Sequence, residues 1–214
     1  MTLIVHTLGA YASYSYDEHE WRREDYDINK FVKSLKGENF TGYANMRDVN
    51  GINRRIIDSD PSAALAYFAA WGAQLINDMA AGGIVLVPVP SSQCVSHEAV
   101  STPYTMANAL QAIVGNHVRV ERWLCFAQSM TPSHAGGTRD SNTLASAMRV
   151  APASRGESHV ILVDDVMTTG GHLKACASVL RDRGVCVDAA IVAARTVWAP
   201  HETPLQIAVE DLDG

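Results

Sequence analysis

The sequence predicts an α/β chain in which helices flank a twisted parallel sheet. Three observations carry that expectation. Short apolar runs rich in β-branched residues, at Ile84–Val87, Val160–Val163 and Val185–Ala194, have the composition of fully buried strands. Segments with large apolar residues at helical spacing separate them. The connections are too long for hairpins, and parallel strands need crossovers of that length.

Taken in order, residues 2–8 form a candidate short strand. Residues 10–26 mix Tyr11, Tyr14, Tyr16, Trp21 and Tyr26 with acids and Arg22-Arg23, the pattern either of a segment that covers an active site or contacts a partner or of a surface segment whose rings pack onto the body. Asp27–Gly37 reads as a short helix with Ile28, Phe31, Val32 and Leu35 on one side and Gly37 as its stop. Residues 41–60 scatter Arg47, Arg54 and Arg55 among asparagines and glycines. Asp60-Pro61 is a strong helix start, with an N-cap residue and then proline at the first helical position. That helix runs through Phe68, Trp71 and Ile76 and stops at Gly82-Gly83. After the strand Ile84–Val87, the prolines of Pro88-Val89-Pro90-Ser91-Ser92 force a loop. Thr102-Pro103 opens another helix, which ends at Gly115, and residues 118–126 form a further strand. Residues 127–140 are polar and small, with no apolar period, at a length typical of a lid or a disordered segment.

The most informative stretch is His159–Gly184. Its apolar strand ends in Asp164-Asp165, and a turn of Thr168, Thr169, Gly170 and Gly171 leads into a helix. Backbone N–H groups of such a turn, at the positive end of a helix dipole, converge on a site for phosphate. The glycines admit close approach of a ligand, so a bulkier residue at Gly170 is expected to block phosphate without unfolding the chain. Two carboxylates beside an anion make chemical sense only if they face hydroxyls or a metal. A ribose 5-phosphate meets both halves, with its phosphate on the turn and its hydroxyls on the acids.

Apolar strand, two acids, two apolar residues, Thr-Gly and helix, in that order, resemble the phosphoribosyl-pyrophosphate (PRPP) loop of the type I phosphoribosyltransferases. The wording of Pro88–Ser92 and of Ala193-Ala194-Arg195 is similar to the ComF branch, which is associated with DNA uptake. The resemblance implies residues 61–214 as the phosphoribosyltransferase-like core and residues 1–60 as a small N-terminal hood. It implies that Asp164 and Asp165 act in catalysis and hold Mg²⁺, and that Val166, Met167, Thr168, Thr169, Gly170, Gly171 and His172 bind the sugar phosphate. Pro88, Val89, Pro90, Ser91 and Ser92 would then hold pyrophosphate, and Arg139, on a flexible lid, would act in catalysis. The partners implied are PRPP, pyrophosphate and a small nitrogenous acceptor, and a homodimer is compatible with them. A protein of the same fold that binds PRPP or a nucleotide as a regulator, or a ComF-like accessory protein, is the alternative.

This sequence departs from the family pattern in several places. His172 stands where a hydroxyl residue is usual, and Thr168 replaces the acid of 6-oxopurine salvage enzymes. No Lys or Arg occurs between Ser91 and Asn116, which leaves His97 and Arg139 as the nearest cationic candidates for pyrophosphate. The ComF branch's zinc-binding cysteines are missing.

A length of 214 residues is most simply one domain, with room for a small appended segment. A net charge of −6 disfavours nucleic acid as a partner. The four cysteines, Cys94, Cys125, Cys176 and Cys186, lack zinc-site spacing. No run reaches membrane-spanning length and no leader is read at the start, so a cytoplasmic, reduced setting is expected.

Overall fold

The computed structural model describes residues 2–15, 17–47, 51–79, 83–132, 136–152, 159–205 and 207–213. Its centre is a six-stranded sheet. The strands are β1 (Ile4–Ala12), β4 (Ile84–Pro88), β5 (Val118–Val120), β8 (His159–Met167), β9 (Val187–Val197) and β10 (Glu210–Asp211), in the order β10-β1-β9-β8-β4-β5. Every neighbouring pair is parallel except the edge pair β1·β10. The expected mostly parallel α/β sheet is therefore present.

Alternation along β8 explains the layering. Ile161 and Val163 face one core cluster, with Phe31, Phe68, Trp71, Met106 and Leu110. Those residues come from α1 (Arg23–Lys36), α2 (Pro61–Met79) and α3 (Thr102–Val114). Val160 and Leu162 face the other cluster, with Leu173, Cys176 and Leu180 of α5 (Gly171–Arg181). Each such side chain contributes about 1.5–3 kcal/mol on full burial.

The topology locates the cleft. β4 and β8 are parallel neighbours, yet β4 leads to α3 on one face and β8 leads to α5 on the other. Chains that leave adjacent strands in opposite directions open a crevice at the strands' carboxyl ends.

Several elements differ from the sequence expectation. β1 extends to Ala12 and pairs along its length with β9, so the first 60 residues contribute a core strand as well as whatever covers the sheet. α1 begins at Arg23, four residues before Asp27. There the Arg22 backbone N–H donates to Asp25 Oδ2 at 2.8 Å and forms a capping box. β2 (Tyr43–Arg47) and β3 (Asn53–Ile57), not anticipated from the sequence, form an antiparallel pair. The single strand expected at 118–126 is two. β5 joins the main sheet, and β6 (Leu124–Phe126) pairs instead with β7 (Met148–Val150), which follows the short helix α4 (Ser141–Ala147). β8 and β9 each run past their apolar cores. The carboxyl-terminal segment also has a structural role: β10 covers the edge of β1, and Leu212 is buried. The expected helix stop at Gly82 and the centre of the lid at 133–135 lie outside the described residues. Among the described residues, no helix is long and apolar enough to cross a membrane.

Candidate active site

Two adjoining cavities open at the carboxyl ends of β4 and β8. The first, about 420 Å³, is lined by Arg139, by every residue from Asp164 to His172, and by Tyr11, Lys36, Thr196 and Trp198 among others. The second, about 750 Å³, is lined by Pro90, Ser91, Ser92 and Gln93, by the start of α3, and by the end of α1. Lys36, Asp164, Asp165, Val166 and His172 border both. The acid pair thus stands at the junction of a compartment on the small-residue turn and one on the proline loop.

The two acids differ. Both belong to the last part of β8, which continues through them to Met167. Asp164 is buried, 7% exposed, with Oδ1 accepting the Asp165 backbone N–H at 2.8 Å. Burial pushes its carboxyl well above the usual range, and the neighbouring Asp165 charge pushes it further. Asp165 is more open. Its Oδ1 accepts the Val166 N–H at 2.7 Å, and its Oδ2 lies 3.4 Å from Lys36 Nζ. Burial alone would lower the Lys36 ammonium, but the Asp165 carboxylate outweighs it and holds the pKa above the ordinary value.

The turn has the features an anion site needs. Gly170 is the N-cap of α5 at φ 76°, a left-handed conformation suited to glycine, and no side chain caps the helix. Its amide end is therefore left to a ligand or solvent. The backbone carbonyl of Arg139 packs against Gly171 so closely that no Cβ fits there, which seats the end of the 127–140 segment on the turn. Thr169 is exposed and Thr168 half-buried. Burial lowers the His172 pKa, only partly offset by Asp165, so its imidazole is a neutral hydrogen-bonding group near neutral pH.

Not every predicted residue reaches the cleft with its side chain. Met167 is 3% exposed and packs in the core, so it offers only backbone. Pro88 still belongs to β4, and Val89 extends the ladder by donating its N–H to Val163 O at 2.9 Å. Neither borders the two cavities, and the proline-loop contribution narrows to Pro90–Ser92. His97 borders neither cavity. Its Nδ1 lies 3.0 Å from Arg122 O and its Nε2 lies 3.6 Å from Cys125 Sγ.

Sequence reasoning missed Lys36, Thr196 and Trp198. Only tertiary structure brings them to the acid pair, and no local pattern marks them. Trp198, 60% exposed, forms a large apolar wall at the cavity. Among the described residues, no group of three or more His, Cys, Asp or Glu side chains is placed to hold a metal ion.

No family model matches the chain, and no curated protein matches it. Among solved structures it is similar to a hypoxanthine phosphoribosyltransferase from Staphylococcus aureus, with TM-score 0.41 and 14% identity over 69% of this chain and 68% of that one. It is also similar to an adenine phosphoribosyltransferase, with TM-score 0.40 and 12% identity over 77% of this chain and 89% of that one.

Proposed function

We propose that the chain binds PRPP and transfers its phosphoribosyl group to a small nitrogenous acceptor, releasing pyrophosphate. One observation carries this reading: an uncapped helix start and a carboxylate pair border one cavity, and a second compartment opens beyond the acids. That arrangement suits a ligand with an anion at each end and hydroxyls between them. The 5′-phosphate would take the amides of 168–172, the ribose hydroxyls would face Asp165 and Asp164, and pyrophosphate would lie along Pro90–Ser92.

The chain's own residues supply three things. Asp165, the more exposed of the two, would accept hydrogen bonds from the ribose hydroxyls, while buried Asp164 orients the end of β8 through its bond to the Asp165 N–H. The seated 137–139 segment would shield the sugar from water. Trp198 and Tyr11 would offer a planar acceptor an apolar wall. The all-oxygen donor set of the two carboxylates fits Mg²⁺, which typically binds through one or two carboxylates together with ligand phosphates. Bound there, the ion would neutralise the leaving group. Catalysis of displacement at ribose C1 then rests on positioning and electrostatic stabilisation.

The lack of Lys and Arg in Ser91–Asn116 favours a second reading, a PRPP-binding regulator without turnover. The wording shared with the ComF branch supports no finer placement than this fold and pocket. Pyrophosphate release from PRPP across a panel of nitrogenous bases tests the enzyme. We expect release with at least one base and loss of at least about a hundredfold in Asp165→Asn. PRPP binding with no release from any base would leave the regulator, and no PRPP binding would refute both readings.

A further inference from the structure

We infer that Lys36, at the end of α1, is the cation that holds the pyrophosphate half of the ligand, a role the proline loop does not fill. The inference rests on the phosphoribosyltransferase reading above and deepens it. Among the described residues lining the larger cavity, Lys36 is the one lysine or arginine. The loop beside it offers Ser91, Ser92 and Gln93, which are neutral. A tetra-anion docked there meets an acid pair on one side, so without Lys36 the compartment would repel it.

The placement of Lys36 is built into the fold. α1 stops at this residue because Gly37 adopts φ 69°, and the Gly37 and Glu38 N–H groups bond back to Ser34 O at 3.1 Å and Lys33 O at 2.9 Å. The other end of α1 is pinned by the Arg22–Asp25 pair, and Asp27 Oδ1 accepts the Asn45 N–H at 3.0 Å. The helix therefore holds the stem of Lys36 at the junction of the two cavities. The ammonium sits 3.4 Å from Asp165 Oδ2 and its side chain is about a third exposed. An ammonium has three N–H donors, so it can keep Asp165 and still donate to an anion in the next compartment. Glu38 also borders the first cavity but not the second, so the two charges at this helix end are separated toward different compartments.

Calorimetric titration with inorganic pyrophosphate in EDTA tests this, using wild type, Lys36→Met, Lys36→Arg, Asp165→Asn and the double variant Lys36→Met/Asp165→Asn. Ribose 5-phosphate serves as the reference ligand, and thermal melts confirm that each protein is folded. We expect wild type to bind pyrophosphate without divalent metal, Lys36→Met to weaken it by about tenfold or more, and Lys36→Arg to restore it to within about threefold. The loss should persist in the Asp165→Asn background, because it comes from a direct contact. Unchanged pyrophosphate affinity in Lys36→Met overturns the inference, and so does a loss that vanishes once Asp165 is neutral. If wild type binds ribose 5-phosphate while Lys36→Met is unaffected, the inference alone fails. If wild type binds neither ligand, the functional reading fails and takes the inference with it.

Discussion

Replacing Asp164 with asparagine should make the protein more stable and a poorer binder at the same time. The side chain is 7% exposed, and burial followed by the Asp165 charge raises its pKa well above 3.8. The sign follows from linkage. A carboxyl with a folded pKa above its unfolded value favours folding only while protonated. Its burden on stability therefore grows as pH rises from about 3.8 through the raised folded value, and it is complete above that. Asparagine keeps an oxygen for the Asp165 N–H, now bonded at 2.8 Å, and carries no charge to bury. The gain near neutral pH should be about 1 kcal/mol, typical of relieving a strained functional group. For a chain of this length that corresponds to roughly 2–4 °C in Tm. Putting an amide in place of the Asp164 carboxyl, which the ribose hydroxyls would face, should weaken binding of ribose 5-phosphate on the order of ten- to a hundredfold. Denaturant melts of both proteins across the acid-to-neutral range, with calorimetric titration, provide the assay. The difference in stability should be near zero at the acid end and favour the variant increasingly as pH rises. A variant less stable than wild type at neutral pH, or a difference that does not change with pH, would refute the reasoning.

Two other variants probe neighbouring parts. Gly170→Val should lose ribose 5-phosphate binding without unfolding the protein, but at a cost in stability. Its backbone sits at φ 76° and an added Cβ would lie 2.8 Å from Leu212 Cδ1, so the left-handed strain alone costs about 1–2 kcal/mol; a melting temperature equal to wild type would contradict this. Asp25→Asn should destabilise by about 1.5–3 kcal/mol, because the fully buried carboxylate accepts from Arg22 Nε at 3.1 Å and Arg22 Nη2 at 3.0 Å. Burial alone would raise the Asp25 pKa, but the Arg22 hydrogen bonds outweigh it and hold the pKa low. That stabilisation is present above the ordinary aspartate value and is lost as pH falls through the depressed one, so the deficit of the variant should shrink in acid melts.

The parts of the molecule legible in the sequence are those encoded locally. Asp60-Pro61 and Thr102-Pro103 mark helix starts, and α2 and α3 begin at Pro61 and Thr102. The turn Thr168–Gly171 could be read because a strand, a short small-residue turn and a helix are contiguous. Boundaries failed where pairing outlasted the apolar run. β8 continues through Asp164 and Asp165 because β9 lies alongside as far as Arg195, and ladder bonds do not require apolar side chains. The pair β2·β3 was missed although Asn50-Gly51 is a known hairpin signal, and Gly51 has φ 77°. Lys36 and Trp198 could not be found this way. One hangs from a helix end and the other follows a strand, and only the packing of α1 and β9 around β8 brings them to the cavity that Asp165 borders. His97 failed for the opposite reason, since its neighbours Arg122 and Cys125 are remote in sequence and draw the ring inward.

A crystal structure of the complex with PRPP tests the central claim most directly. It should show the 5′-phosphate on the backbone amides between Thr168 and His172, the ribose hydroxyls within hydrogen-bond reach of Asp165, and the pyrophosphate between Pro90–Ser92 and Lys36. A 5′-phosphate bound anywhere else on the protein, or ribose hydroxyls turned away from Asp165, would contradict the account.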